Sequence, residues 1–132
     1  VATNLDDIDI IRTHFLNEWD NAVPVVFDND PASPKPEGII WARLSVRPTA
    51  ETRKSIASRT YEQKGWVYLQ VMVPDGLSDH DGYALTETFK DTFRDWSSPD
   101  FRIRFATPDY STSHFEGEQF TIKVSIPYRA QH

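Results

Sequence analysis

Trp66-Val67-Tyr68-Leu69-Gln70-Val71-Met72-Val73-Pro74 decides the fold. Val67, Leu69, Val71 and Val73 point one way, and Trp66, Tyr68, Gln70 and Met72 point the other. A period of two over this length reads as a sheet strand whose two faces do different work. Pro74, Gly76 and the run Asp79-His80-Asp81-Gly82 then stop the strand and start a helix. Leu85, Phe89, Phe93 and Trp96 follow at helical spacing, with Asp79 or Asp81 as the expected cap and Ser97-Ser98-Pro99 as the end.

Upstream, Ile39 to Arg47 alternates in the same way. Ile40, Ala42, Leu44 and Val46 make one face; Trp41, Arg43, Ser45 and Arg47 make the other. Pro48 ends the pattern. Thr49 to Thr60 is polar and reads as a long tongue joining two paired strands; loops of this length are usually functional or disordered. Its Arg53, Lys54 and Arg59 stand out in an acidic chain. Residues 5–20 read as a helix capped by Asn4 or Asp6, with Ile8, Ile11, Phe15 and Trp19 as its apolar stripe. Pro24 forbids its continuation. Val25-Val26-Phe27 suits a brief edge strand, and residues 28–38, with Pro31, Pro34 and Pro36, read as an extended loop.

Downstream, Phe101, Ile103 and Phe105 alternate with Arg102 and Arg104. After a polar loop from Pro108 to Gly117, Phe120, Ile122, Val124, Ile126 and Tyr128 alternate with Thr121, Lys123 and Ser125. The expected fold is α+β: a mainly antiparallel open sheet of four or five strands with two helices packed on one face, in one domain spanning residues 1–132.

Composition narrows the function. Aromatic residues make up 13% of the 132 residues, with four Trp, five Tyr and eight Phe, more than one small core needs. The surplus points to an interface, where large aromatics concentrate. A net charge of −6 argues against nonspecific nucleic-acid binding. With no cysteine there is no disulfide framework, thiolate zinc site or thiol nucleophile. The opening Val1-Ala2-Thr3-Asn4 does not read as a signal peptide, and no apolar run approaches the roughly 20 residues that cross a bilayer.

Catalytic motifs are weak. His14, His80, His114 and His132 show no metal-ligand spacing and are expected to be solvated. Asp79-His80-Asp81 could serve acid–base chemistry, but its place before an amphipathic helix favours capping. Asp28-Asn29-Asp30 opens like a calcium loop and lacks the following glycine and terminal Glu. No Gly-x-Ser-x-Gly elbow or glycine-rich phosphate loop is present, and Glu116-Gly117-Glu118 reads as solvated loop. No catalytic residue, metal or cofactor is expected. The sharpest charge pattern is on the strands: Arg43, Arg47, Arg102, Arg104 and Lys123 are expected to share one face, which meets acidic side chains of a neighbour or is solvated, with direct DNA binding a weaker third reading given the overall acidity.

The ordered set of segments resembles the tail terminator-like proteins of long-tailed bacteriophages. It comprises the helix ending Phe15-Leu16-Asn17-Glu18-Trp19, the Pro-rich segment to Pro36, Ile40-Trp41-Ala42-Arg43-Leu44-Ser45-Val46, and the basic tongue. Gly65 to Pro74, Gly82 to Phe93, and the closing strand ending Ser125-Ile126-Pro127-Tyr128 complete it, so nearly the whole chain is covered.

The resemblance implies a homohexameric ring that caps the head-proximal end of the tail tube and stops its polymerisation. It also implies docking to the head-tail connector or stopper, with DNA crossing the channel without specific binding. The implied place is the virion, after assembly in the host cytoplasm, with no membrane and no enzymatic activity. The expected interface residues are Arg53, Lys54 and Arg59 on the tongue, with Trp41, Trp66, Arg43 and Arg47 on the mixed sheet face. Core packing remains open for the two tryptophans. The alternatives are another neck or tail tube component, a small α+β enzyme built around Asp79, His80 and Asp81, or a regulatory small-molecule binding domain.

Overall fold

The computed structural model describes residues 3–19, 23–27, 38–55, 60–110, 114–116 and 119–132. In chain order these form α1 (Asn4–Glu18), β1 (Val25–Phe27), β2 (Trp41–Ser55), β3 (Thr60–Pro74), α2 (Asp79–Phe93), β4 (Ile103–Phe105), β5 (Asp109–Tyr110), β6 (His114–Glu116) and β7 (Gln119–Gln131). The fold is α+β with a mostly antiparallel sheet.

The sheet runs β1-β2-β3-β7-β4, with β5 and β6 also paired to β7. β1 is parallel to β2, and the other pairings are antiparallel. Among the described residues the sheet has seven strands, against the four or five expected. The additional pairings with β7 are two or three residues long, too short to carry a readable period.

β3 is the axis. Val67, Leu69, Val71 and Val73 are all buried on one face, beside Ala42 and Leu44 of β2 and Ile122, Val124 and Ile126 of β7. Ile11, Phe15 and Trp19 of the first helical segment join this cluster, as do Phe89 and Phe93 of α2. Gly82 lets α2 approach closely, because a Cβ there would lie 2.7 Å from Val73 and 2.9 Å from Ile122. Two aromatic contacts tie the helix end to β4, Phe93 against Phe105 at 4.8 Å and Trp96 against Phe105 at 5.7 Å.

Both helix starts differ from expectation by a residue or more. Thr3 caps α1 in a capping box, accepting from the Asp6 N–H while the Asp6 carboxylate accepts from the Thr3 N–H. Asp6 therefore closes the box rather than capping, and these bonds hold its carboxyl below the usual range. Ser78 caps α2 by accepting from the His80 N–H, which leaves Asp79 and Asp81 in the first turn to interact with the helix dipole.

Two other expectations are corrected. Phe101 lies outside β4, 65% exposed and in the left-handed backbone region. The Asp100 carboxylate accepts from Ser98 Oγ and the Arg102 N–H, and the turn this makes ends just before Ile103. Over its described residues the tongue is not a loop. β2 and β3 stay paired through Ala50–Lys64, Glu51–Gln63, Thr52–Glu62, Arg53–Tyr61 and Ser55–Thr60, with irregularities after Pro48 and Arg53. β7 accompanies this hairpin only as far as Glu62, where Gln131 pairs, and His132 and Tyr61 exchange backbone hydrogen bonds.

Candidate assembly interface

The Trp66 face of the sheet is built in rows by the strand register. Arg43, Gln70 and Lys123 form one row across β2, β3 and β7; Ser45, Tyr68 and Ser125 form the next; Arg47, Trp66 and Pro127 form a third. A fourth row places Lys64, Arg129 and Arg104 side by side on β3, β7 and β4. Trp66 and Tyr68 stack along β3 at 6.2 Å. Both are half-buried, Arg43 is half-buried and Arg47 is exposed.

Trp41 behaves differently. It is fully buried, clustered with Val26 and Met72 on the same face, and Arg43 lies 5.7 Å from its ring. It packs within its own subunit, which corrects its placement among residues that reach outward. β1 is the cause: Val26 lies beside Arg43 in the parallel pairing and covers this end of the face. Arg53 is exposed on the hairpin, and Lys54 sits in β2, where its side chain is outside the described residues. Arg59 lies outside the described residues altogether.

Arg102 does not join the basic face. Its Nη1 donates to Asp7 Oδ1 at 2.5 Å, and His132 Nε2 lies 2.7 Å from Asp7 Oδ2. Asp7 is fully buried. A buried carboxylate is retained only with such partners. His132 is also 3.8 Å from Glu51 of the hairpin, so this cluster ties α1, the C-terminal residue and the hairpin together. The sequence carried one signal for Asp7: it precedes Ile11 by four residues, on the buried stripe.

The histidines also divide. His80 is solvated, 4.0 Å from Asp81, with both side chains largely exposed. His14 is not: its ring stacks on Trp96 at 3.9 Å and Nε2 lies 2.9 Å from the Thr92 carbonyl oxygen. His132 is half-buried against Asp7. The His114 side chain, Asp28-Asn29-Asp30, Gly117 and Glu118 lie outside the described residues. Among the described residues no group of three His, Asp or Glu side chains is arranged to hold a metal ion. No helix among them is long and apolar enough to cross a membrane.

The charge is polarised through the sheet. Arg43, Arg47, Lys64, Arg104, Lys123 and Arg129 occupy positions on the Trp66 face, against Glu62, Asp109 and Glu116 among the described residues of that face. The two helices carry seven exposed acids (Asp6, Asp9, Glu18, Asp79, Asp81, Glu87 and Asp91), beside the buried Asp7, against Arg12 and Lys90. A chain of net charge −6 thus presents a basic sheet face and an acidic helical side.

No protein-family model matches the chain, and no curated protein matches it. A solved protein structure that carries no functional name is similar over 95% of this chain and 96% of its own, at 19% identity and a TM-score of 0.69. That likeness extends to the fold and no further.

Proposed function

We propose that the protein is a structural virion component, a tail terminator whose copies close into a ring at the head-proximal end of a phage tail tube. Both helices form one layer on the Val67 face, and the Trp66 face is left for contact with a neighbour. The observation that carries the reading is the opposition of charge between these two sides of one subunit. Copies in a ring meet head to tail, so one surface must complement a different surface of the next copy. A basic face with stacked aromatics and an acidic helical side meet that requirement.

In this reading the β2–β3 hairpin, with Arg53 and Lys54, reaches the last ring of tube protein and covers the surface where the next ring would add. The opposite side of the collar meets the connector or stopper. Acidic side chains facing a channel repel phosphate, so DNA passes without being held. The protein acts by binding and catalyses nothing.

Negative-stain microscopy of the purified protein mixed with tail tube protein tests the reading. A terminator gives single rings and tubes that end in them. Long polymers of this chain alone would instead make it a tube protein, and rings that bind only a head connector would make it a stopper.

A further inference from the structure

The fourth row of the Trp66 face holds the inference. Lys64, Arg129 and Arg104 stand in consecutive cross-strand positions on three strands. Like charges placed directly opposite on a sheet destabilise it. Glu62, with an oxygen 3.6 Å from Arg129 Nη1, offsets part of this charge. Beside the row lies a groove of about 280 Å³ whose walls include Trp66, Phe105, Ala106 and Pro127. It is an apolar slot with a cationic rim.

Its complement exists on the same chain. The turn from β3 into α2 presents Leu77, 47% exposed, between Asp75 on one side and Asp79 and Asp81 on the other, all three exposed. It is an apolar tip between carboxylates. The groove lies part-way along β3, and the tip lies beyond its Pro74 end. Gly65 and Pro74 are nine positions apart, a span of about 30 Å at strand rise. They are thus placed to meet between copies and not within one.

We infer that the Asp75–Asp81 turn of one copy docks into the Lys64–Arg129–Arg104 groove of the next, with Leu77 against Trp66 and Pro127 and the carboxylates on the cationic rim. This rests on the ring reading above and specifies its contact. The contact is heterologous, and repeating it closes a collar or continues a helix according to the angle between copies.

Association is measured by sedimentation of the intact chain and of two variants, Arg104→Glu with Arg129→Glu, and Asp79→Lys with Asp81→Lys. Each variant is expected to weaken association about tenfold or more, and mixing the two to restore it. Helix α2 carries Asp79 and Asp81 in its first turn, so a fold-independent readout is paired with these. The chain has no cysteine. Leu77→Cys with Ala106→Cys in one chain is expected to give, on mild oxidation, a ladder of disulfide-linked copies on a non-reducing gel.

If the wild type forms rings while both charge variants associate normally and no ladder appears, the docking contact is wrong and the ring reading stands. If the wild type stays monomeric at every concentration, alone and with tube protein, both fall. Loss of retention on duplex DNA by Arg104→Glu with Arg129→Glu, with association unchanged, would overturn the inference in favour of a nucleic-acid contact.

Discussion

Tyr128 occupies the space that a side chain on Gly65 would need. The two are cross-strand partners, and a Cβ built on Gly65 would fall 2.6 Å from Cε1, Cζ and the hydroxyl oxygen of the Tyr128 ring. Tyr128 is itself 1% exposed and meets Phe105 on its other flank, so the ring has little room to retreat. Gly65→Ala is therefore expected to cost about 1–3 kcal/mol through overpacking, read as a lower midpoint in urea. Gly65→Ala with Tyr128→Leu should cost less than the sum of the two single changes.

The same burial sets a pH dependence. Loss of solvent around Tyr128, with the buried Asp7 carboxylate adding to it, pushes its phenol up to about 12. The unfolded value is about 10, so the folded state holds this proton more tightly. Its contribution is complete below about pH 10 and is lost as the pH rises towards 12. Tyr128→Phe removes that component. The hydroxyl finds no hydrogen-bond partner among the described residues, so the substitution should leave stability at neutral pH level or slightly raised. Urea midpoints across the alkaline range check both statements.

Asp7 should be among the least replaceable surface-charge residue types in the chain, because it is not at the surface. Asp7→Ala takes from Arg102 and His132 the shortest of their polar contacts, leaving Arg102 with Asp100 and the Gln131 carbonyl and His132 with Glu51. Breaking a buried pair in this way costs about 3–5 kcal/mol. A double-mutant cycle with Arg102→Ala is expected to show coupling above about 0.5 kcal/mol, the usual limit for independent sites. Additive effects would mean that the pair contributes nothing specific.

Association through oppositely charged faces should weaken with salt. Raising ionic strength from about 0.1 M to about 1 M shortens the screening length from about 10 Å to about 3 Å. The assembled fraction at fixed protein concentration is expected to fall over that range, as read by light scattering. Association that strengthens with salt would point to an apolar contact instead.

Much of the architecture was legible in the residues themselves. Val67, Leu69, Val71 and Val73, with Ile122, Val124 and Ile126, are buried on the face that the apolar alternation marks, and Phe89 and Phe93 mark the helix that covers them. The hairpin was less legible, because Thr49 to Thr60 has no apolar alternation. Its strand conformation comes from pairing with a partner strand, which composition does not reveal. Trp41 looked outward by alternation and is buried because β1 adds a parallel edge beside it, a tertiary fact. Arg102 fitted the basic face by spacing, yet Asp7 draws it to α1, a contact between residues far apart in the chain. Arg43, Arg47 and Trp66 fall in the rows that the pattern implied, since register follows from period.

The mass of the assembled species, measured by native mass spectrometry over a concentration series with and without tail tube protein, tests the central claim most directly. A single closed species of fixed copy number, six by the resemblance, that ends tube growth is the predicted result. A lone subunit at every concentration, or an open series of ever larger polymers, would contradict it.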